Sequence, residues 1–330
     1  MKGIVFGLGS IGRRHGRNLR ALGVGVAGFD PDPDRCEAFA AEVAGSDVHA
    51  SVEDALQVSA EFAVIASPNA FHLKQALACA RIGLHLFIEK PLGTDGTGVS
   101  ALVAEVDRRG LVALLGSNWK FHPGPRRLKA IIDSGDLGRV LAVQALGGQY
   151  LPDWHPWEDY RGMYSSQHDL GGGVLLDSHD LDYLTWLLGP LASVTCRTIS
   201  TGTLEIDTCD LACLLLVFVS GATGTLQLDY LQRPYGRRVH ITGSDGTAIW
   251  DHSEGTVRQY RGVTREWSEL AIPSDYDLNE MYVEEMRHFL DCVARKRPTV
   301  TPLDQAVHVL SVLGHARASA GRGGVPTAVL

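Results

Sequence analysis

The sequence predicts an α/β protein with a parallel sheet in its N-terminal part and an α+β region with a mainly antiparallel, open sheet after it. Up to about residue 118, short apolar runs alternate with segments of helical periodicity, as in βαβ units. After about residue 120, apolar and polar residues alternate with a period of two, which is typical of strands with one solvated face. We therefore expect two domains, 1–120 and 121–330, and leave open whether the last helices pack back on the first domain.

The apolar runs of the first region predict the strands of the parallel sheet. They are Ile4–Phe6, Val24–Phe29, Asp47–His49, Phe62–Ala66, Leu84–Ile88 and Leu111–Leu115. Strands that are covered on both faces are expected to be continuously apolar, as most of these are. Between them, the segment 69–83 repeats alanine and leucine at helical spacing, and Ser51 followed by Asp54 predicts a helix N-terminus.

The second region contains strands whose residues alternate between two faces. In Ala222–Tyr230 every second residue is apolar or small, and Arg238–Thr242 repeats the pattern before a "GSDGT" turn and Ala248–Trp250. Two helices close the chain, one near 279–295 and one introduced by "TPLD" at 301–304. These elements predict the α+β character of the region.

Composition excludes several classes of protein. The chain has 330 residues, 45% of them hydrophobic, so it is long enough to bury a large core. Its net charge of −8 and its lack of a basic tract argue against nucleic acid and anionic membranes as partners. Six scattered cysteines without a CxxC pair favour reduced thiols over disulfides or zinc. With the first strand starting at Lys2 and the longest apolar run limited to Leu211–Val219, we expect a cytoplasmic protein.

A glycine-rich loop follows the first predicted strand. "VFGLGSIGRRH" contains Gly7, Gly9 and Gly12 in G-x-G-x-x-G spacing, directly before a helix. In this context the first glycine permits a tight turn, the second lets a diphosphate approach the backbone, and the third lets helix and strand pack closely. The free N–H groups at the helix start hold the diphosphate, so the predicted cofactor site includes Ser10 and Ile11. The loop indicates a Rossmann dinucleotide-binding domain.

Asp30 ends the second strand, 18 residues after Gly12. A carboxylate at this place accepts hydrogen bonds from ribose hydroxyls and repels a 2′-phosphate, which favours NAD over NADP. Three arginines within reach of a phosphate (Arg13, Arg14 and Arg35) argue the other way. We therefore predict NAD and leave NADP open.

Four segments taken together suggest a family. They are the glycine loop, "SPNAFH" at 67–72, "EKP" at 89–91 and "GGGVLLDSHDLDYLTWLLG" at 171–189. In this order and spacing they resemble the Gfo/Idh/MocA oxidoreductase family over nearly the whole chain. The segments "NWKFHPG", "YLPDWHPWEDYR" and "LDYLQRP" are similar to members associated with bacterial surface-sugar and sialic-acid-type biosynthesis.

The resemblance implies a fold, an activity and three catalytic positions. It implies hydride transfer between nicotinamide and a secondary hydroxyl of a sugar, cyclitol or nucleotide sugar, and a homo-oligomer (dimer or tetramer) through the open face of the C-terminal sheet. The family's lysine corresponds to Lys90, its acid to Asp177 and its histidine to His179, with Asp182 three residues later. This chain has only Ser178 between acid and histidine, one residue fewer than its relatives, so Asp180 is an alternative partner of His179.

Lys90 follows the strand Leu84–Ile88, and ligands of such sheets lie beyond the carboxyl ends of the strands. Oxidation of an alcohol needs a group that takes the hydroxyl proton. A partly desolvated lysine beside a cationic nicotinamide loses its own proton more readily and is suited to this task. Pro91 fixes the turn that positions it. His179 is the second candidate for proton transfer, and Asp177 orients it, binds a sugar hydroxyl or caps the helix.

Further residues are predicted to bind cofactor or substrate. Those expected at the dinucleotide are Ser67, Pro68, His72, Glu89 and Asn118, because they follow predicted strands. Those expected at the substrate, where aromatic faces alternate with polar groups, are Lys120, Tyr150, Trp154, Trp157, Arg161 and Arg233. The aromatic segment around 150–161 equally fits a clamp between domains or subunits.

Two other functions remain open. An NAD-dependent glycoside hydrolase of similar architecture needs the same base, and a non-catalytic dinucleotide sensor keeps the glycine loop alone. No metal is predicted, because the carboxylates and the histidine around "HDLDYL" point in different directions on a helix.

Overall fold

The computed structural model describes residues 1–168, 172–176 and 178–330. The chain divides into two compact units, Met1–Asn118 with Leu278–Leu310 and Trp119–Asp277 with Ser311–Leu330. Among the described residues, none of the helices combines the length and the apolar character needed to cross a bilayer.

The first unit is built on a parallel sheet. Its strands are β1 (Lys2–Phe6), β2 (Gly25–Phe29), β3 (Asp47–His49), β4 (Phe62–Ile65), β5 (His85–Ile88) and β6 (Ala113–Leu115). Within the described part of the chain they lie in the order β3-β2-β1-β4-β5-β6, and each neighbouring pair is parallel. This is the strand order of dinucleotide-binding folds. Every strand predicted from the sequence is present, and the prediction of a parallel sheet is confirmed.

Helices cover both faces of this sheet. They are α1 (Ser10–Ala21), α2 (Pro33–Glu42), α3 (Val52–Leu56), α4 (His72–Arg81), α5 (Val99–Arg109) and α8 (Asn279–Arg295), together with the first part of α9 (Leu303–Gly321). Apolar strand residues are buried in two clusters, one that includes Leu310 and one that includes Met286. In the second cluster the ring of Phe289 lies edge-on to Phe62 and Phe87, with centroids 5.5 and 5.7 Å away. The Ser51 side chain accepts from the N–H of Asp54, as the sequence predicted.

The second unit contains a mostly antiparallel sheet. Its strands are β7 (Val140–Gly148), β8 (Leu191–Ile199), β9 (Leu211–Phe218), β10 (Thr223–Asp229), β11 (Gly236–Gly243), β12 (Gly246–Asp251), β13 (Thr256–Arg261), β14 (Glu266–Ala271) and β15 (Thr327–Ala328). Over the described ranges the order is β14-β13-β12-β11-β7-β10-β9-β8-β15, with β7 and β10 parallel and the other pairs antiparallel. The helices α6 (Pro123–Asp133) and α7 (His179–Leu188) belong to this unit.

Strand β10 confirms the alternation seen in the sequence. Leu226 and Leu228 are buried, whereas Thr223 and Thr225 are exposed. One face of the sheet therefore forms the core of the unit and the other is accessible, because successive side chains of a strand point to opposite faces.

Candidate active site

The glycine loop joins β1 to α1 with the geometry that a diphosphate site requires. Gly7 has a φ of +88°, and a Cβ there would lie 2.4 Å from the Ser67 nitrogen. A Cβ on Gly12 would lie 1.8 Å from the Gly7 oxygen. A Cβ on Gly9, in contrast, would meet nothing within 4 Å. Glycine is thus imposed at two positions by close packing, while at the third the backbone borders open space.

The N-terminal end of α1 has backbone N–H groups that could bind a ligand. Gly9 is the N-cap residue, and no described side chain caps this end of the helix. The first N–H groups of a helix lack intrahelical partners and attract anions. The exposed Ser10 and half-exposed Ile11 lie in the first turn. The residues present therefore fit the diphosphate of a dinucleotide.

Asp30 is placed at the same loop. Its carboxylate is 3% exposed and accepts the N–H of Leu8 at 2.8 Å and that of Asp32 at 3.0 Å. These bonds fix its orientation beside the glycine loop. Each carboxylate oxygen has a second lone-pair position, so the group retains the capacity to accept from ribose hydroxyls.

The arginines that could favour a 2′-phosphate have acidic or aromatic partners. Arg13 lies 3.3 Å from a Glu42 oxygen. Arg14 stacks over the ring of Tyr282 at 4.5 Å. Arg35 is 3.5 Å from Asp32 and 3.8 Å from Asp30. These contacts agree with a site for NAD.

Residues 89–91, which we call the Lys90 turn, follow β5. Lys90 is half-buried, and its N–H donates to Glu89 Oε2 at 3.3 Å. Glu89 Oε1 lies 2.6 Å from Nε2 of His15, a fully buried side chain on α1. His15 was not predicted as a site residue. Its spacing from Gly12 and Leu19, both buried on α1, was the available indication.

The other predicted cofactor residues follow β4 and β6. His72 is 2% exposed, and its two ring nitrogens lie 2.7 Å from the Ser67 oxygen and 2.8 Å from the Pro91 oxygen. Pro68 is exposed beside them. Asn118 is buried, and its amide donates to the Met281 sulfur at 3.4 Å.

Lys120 has quite different surroundings from Lys90. Its side chain is fully buried, and Nζ lies 3.0 Å from Asp182 Oδ1 on α7. In the same helix Asp180 accepts from the Tyr183 hydroxyl and lies 3.3 Å from Arg237 Nη2. Arg237 also had no place in the sequence prediction. It lies on the same face of β11 as the buried Val239 and Ile241, and a charge on an apolar face indicates a buried pair.

His179 is the first residue of α7 and is half-buried. Asp177, the predicted acid, lies outside the described residues. Two buried ion pairs, Lys120–Asp182 and Arg237–Asp180, thus anchor the first turn of the helix that carries His179.

An aromatic cluster surrounds His122, two residues after Lys120. The ring of His122 lies 5.0 to 5.4 Å from those of Trp119, Trp250, His252 and Tyr276. Burial, and secondarily the charges of His252 and Arg237, lower the pKa of His122 to about 3. Its Nδ1 accepts the N–H of Gly124, so the neutral ring caps α6.

The predicted substrate residues fall into separate contacts. Arg233 stacks on Tyr150 at 3.4 Å, and Trp154 lies edge-on to Tyr230. Trp157 is 75% exposed. Arg161 is held by Asp159 and Glu205 at the surface. The structure therefore brings Tyr150 and Arg233 together, whereas Trp154, Trp157 and Arg161 contact other residues.

Comparisons with known proteins match both parts of the chain. Residues 1–117 match the family model described as "Oxidoreductase family, NAD-binding Rossmann fold", and residues 126–249 match the GFO/IDH/MocA C-terminal domain. The scyllo-inositol 2-dehydrogenase (NAD(+)) of Bacillus subtilis is 26% identical, over 98% of this chain and 94% of its own. The UDP-N-acetylglucosamine 3-dehydrogenase of Acidithiobacillus ferrooxidans is 27% identical, over 89% of each chain.

A solved structure of levoglucosan dehydrogenase in complex with NADH has the same fold. It covers 100% of this chain and 99% of its own, with a TM-score of 0.89 at 18% identity. Together with the glycine loop and the parallel sheet, these matches show that the chain belongs to the Gfo/Idh/MocA family of NAD-binding oxidoreductases.

Proposed function

We propose that this protein is an NAD-dependent dehydrogenase that moves a hydride between nicotinamide and a secondary hydroxyl of a sugar, cyclitol or nucleotide sugar. One observation carries the proposal. The glycine loop, Ser67 and Lys90 follow β1, β4 and β5, three adjacent strands of one parallel sheet, so all three lie at the same edge. Strands are about 4.8 Å apart, which places Lys90 about 10 Å from the strand that leads into the glycine loop.

The chain's own residues supply binding and proton transfer. The N–H groups of the first turn of α1 hold the diphosphate, and Asp30 accepts from the ribose. The nicotinamide, when bound, supplies the hydride acceptor. Lys90 Nζ takes the proton from the substrate hydroxyl as the carbon–hydrogen bond breaks, and it returns the proton in the reverse direction. The alcohol thereby becomes a carbonyl compound.

We assign His179 as the second group that handles the proton and Asp177 as the acid that orients it. The two buried ion pairs on α7 support the role of His179, because they anchor the first turn of its helix. A fixed first turn keeps the imidazole in one orientation, and precise orientation is a large part of enzymatic rate enhancement. Tyr150 and Arg233 form a stacked pair that suits a sugar ring and its hydroxyl groups.

The substrate class is inferred from relatives, which include inositol, levoglucosan and UDP-N-acetylglucosamine dehydrogenases. The direct test incubates purified protein with NAD and scyllo-inositol, myo-inositol, levoglucosan or UDP-N-acetylglucosamine, and follows NADH absorbance. We expect NADH with at least one compound and its formation at least about 100-fold slower with Lys90→Met. Release of free sugar from a glycoside without net NADH would support the hydrolase instead. Tight NAD binding without any turnover on a wider sugar panel would support the sensor.

We further propose a cytoplasmic homo-oligomer that associates through the accessible face of the second sheet. Leu215 on β9 is 50% exposed and pairs with Thr225 on β10, so this face offers apolar surface. All six cysteines are free thiols, which is usual in the cytosol. Sedimentation of the protein and of Leu215→Glu tests the interface. Wild-type protein that sediments as a monomer would contradict it.

A further inference from the structure

Lys90 stands between two residues that are each bound by a buried histidine. Glu89, on one side, contacts His15 of α1 at 2.6 Å. Pro91, on the other, contacts His72 of α4 through its backbone oxygen at 2.8 Å. The side chains of His15 and His72 are 0% and 2% exposed. Two helices that flank the dinucleotide loop and the β4 loop are thereby connected to the same three residues.

The His15 contact has a defined polarity. Nδ1 of His15 is buried and has no hydrogen-bond partner among the described residues. The ring lies edge-on to Phe87 and Tyr282, with centroids 4.9 and 6.2 Å away. With Glu89 as a carboxylate acceptor, the contact requires the tautomer of His15 that carries its proton on Nε2. A Cβ on Gly116 would lie 3.1 Å from the Glu89 carboxylate, so that group is also packed tightly from the other side.

The His72 contact joins two loops through one ring. Its nitrogens face the carbonyl oxygens of Ser67 and Pro91. Burial lowers the pKa of His72, whereas both carbonyl groups and the nearby Glu89 carboxylate act in the opposite direction. In either protonation state the ring spans a fixed distance between the β4 loop and the Lys90 turn.

We propose that His15 and His72 are positioning residues that hold the Lys90 turn so that the lysine amine meets the substrate hydroxyl. This inference rests on the proposed function, because it assigns Lys90 the proton transfer. Both histidines are buried, so we assign them no direct contact with substrate. Each acts through a neighbour of Lys90, and a displacement of about 1 Å at a reacting group is enough to lower the rate about 100-fold.

Asparagine and glutamine can each replace one nitrogen of a histidine ring, which allows the two contacts to be tested separately. The amide nitrogen of asparagine is close to the place of histidine Nδ1, and that of glutamine is close to Nε2. His72→Asn therefore keeps a donor toward Pro91, and His72→Gln keeps one toward Ser67 only. His15→Gln keeps the donor toward Glu89, and His15→Leu removes it. His85→Leu is the matched control, because His85 accepts the N–H of Val112 at the opposite, amino end of β5.

We expect His72→Gln and His15→Leu to lower kcat about 10- to 100-fold, with NADH affinity by fluorescence titration within about threefold of the wild type. His72→Asn and His15→Gln recover most of the rate, and His85→Leu retains it. In a Lys90→Met background the histidine substitutions have no further effect on kcat, because residues that act as a unit are not additive.

A second readout needs no substrate. Acetic anhydride labels accessible amines, and mass spectrometry gives the labelling rate of Lys90 at several pH values with NADH bound. We expect His72→Gln and His15→Leu to change that rate at least about threefold, and His85→Leu to leave it unchanged. Unchanged labelling and unchanged kcat in both variants, alongside an inactive Lys90→Met, would overturn the inference alone. An active Lys90→Met would overturn the proposed function itself.

Discussion

Two lysines follow neighbouring strands of the parallel sheet in sequence, and the structure gives them opposite surroundings. Lys90, after β5, is half-buried in a turn whose flanking residues are bound by histidines. Lys120, after β6, is fully enclosed and paired with Asp182. A buried charge is tolerated only with a close partner, whereas a lysine that takes and gives protons must reach its ligand. The same residue type at similar places in the chain therefore serves reactivity in one case and stability in the other.

The largest effect we expect is on the lysine that remains accessible. Lys90→Met should lower kcat by about 10²- to 10⁴-fold, the usual contribution of a general acid or base. NADH affinity and the melting temperature should stay close to the wild type, because the stem of methionine fills a similar space. Steady-state kinetics and a fluorescence titration measure the two effects. If Lys90→Met kept the full turnover rate, Lys90 would not be the residue that transfers the proton.

Substitution of the buried Lys120 should lower the free energy of unfolding. Lys120→Met leaves Asp182 charged and enclosed without its partner, which typically costs about 3–5 kcal/mol of unfolding free energy. The double variant Lys120→Met/Asp182→Leu should recover most of that loss, because apolar replacements of a buried pair are often neutral. Urea denaturation of both variants measures the loss of unfolding free energy and its recovery. A raised KM with unchanged stability would instead support the substrate role predicted for Lys120 from sequence.

The free energy of unfolding should fall at acidic pH because His122 is buried as a neutral ring. The pKa of this histidine falls from 6.5 to about 3 on folding, because the ring is buried. The folded state therefore favours the neutral ring, and this contribution is present above the unfolded pKa and lost as the pH falls below it. By linkage it amounts to about 2 kcal/mol between pH 7 and pH 5.

His122→Asn tests the size of that term, because asparagine retains a cap for α6 but does not titrate in this range. The fall in unfolding free energy from pH 7 to pH 5 should be smaller in the variant by about 2 kcal/mol. Equal slopes in the two proteins would show that His122 does not carry the acid sensitivity.

Asp30 combines features of both lysines, since it is buried and bonded and is also predicted to bind a ligand. Asp30→Ala should weaken NAD by about tenfold and reduce the preference over NADP, as expected for about 1.4 kcal/mol of lost hydrogen bonding. Asp34→Ala, an exposed acid in α2, is the control and should leave both affinities unchanged. Unchanged preference in Asp30→Ala would show that another group selects the cofactor.

Local patterns were sufficient for the elements of the fold and for the dinucleotide loop. The spacing of Gly7, Gly9 and Gly12 is recognisable within one short segment, although the clash that excludes a Cβ at Gly7 involves Ser67 in the loop after β4. Most of the strands are recognisable because they are continuously apolar or alternate strictly. The resemblance placed Lys90 and His179 in their motifs. None of these inferences depended on which distant residues meet.

Contacts between residues that are distant in the chain could not be predicted from local patterns. His15 meets Glu89 74 residues later, Lys120 meets Asp182 62 residues later, and Arg237 of β11 meets Asp180 of α7. Such pairs arise only when the folded chain excludes water from both groups, because burial makes each charge or ring nitrogen dependent on the partner it finds. The residue types were visible along the chain, but their division into a reactive lysine and an enclosed one was made by folding.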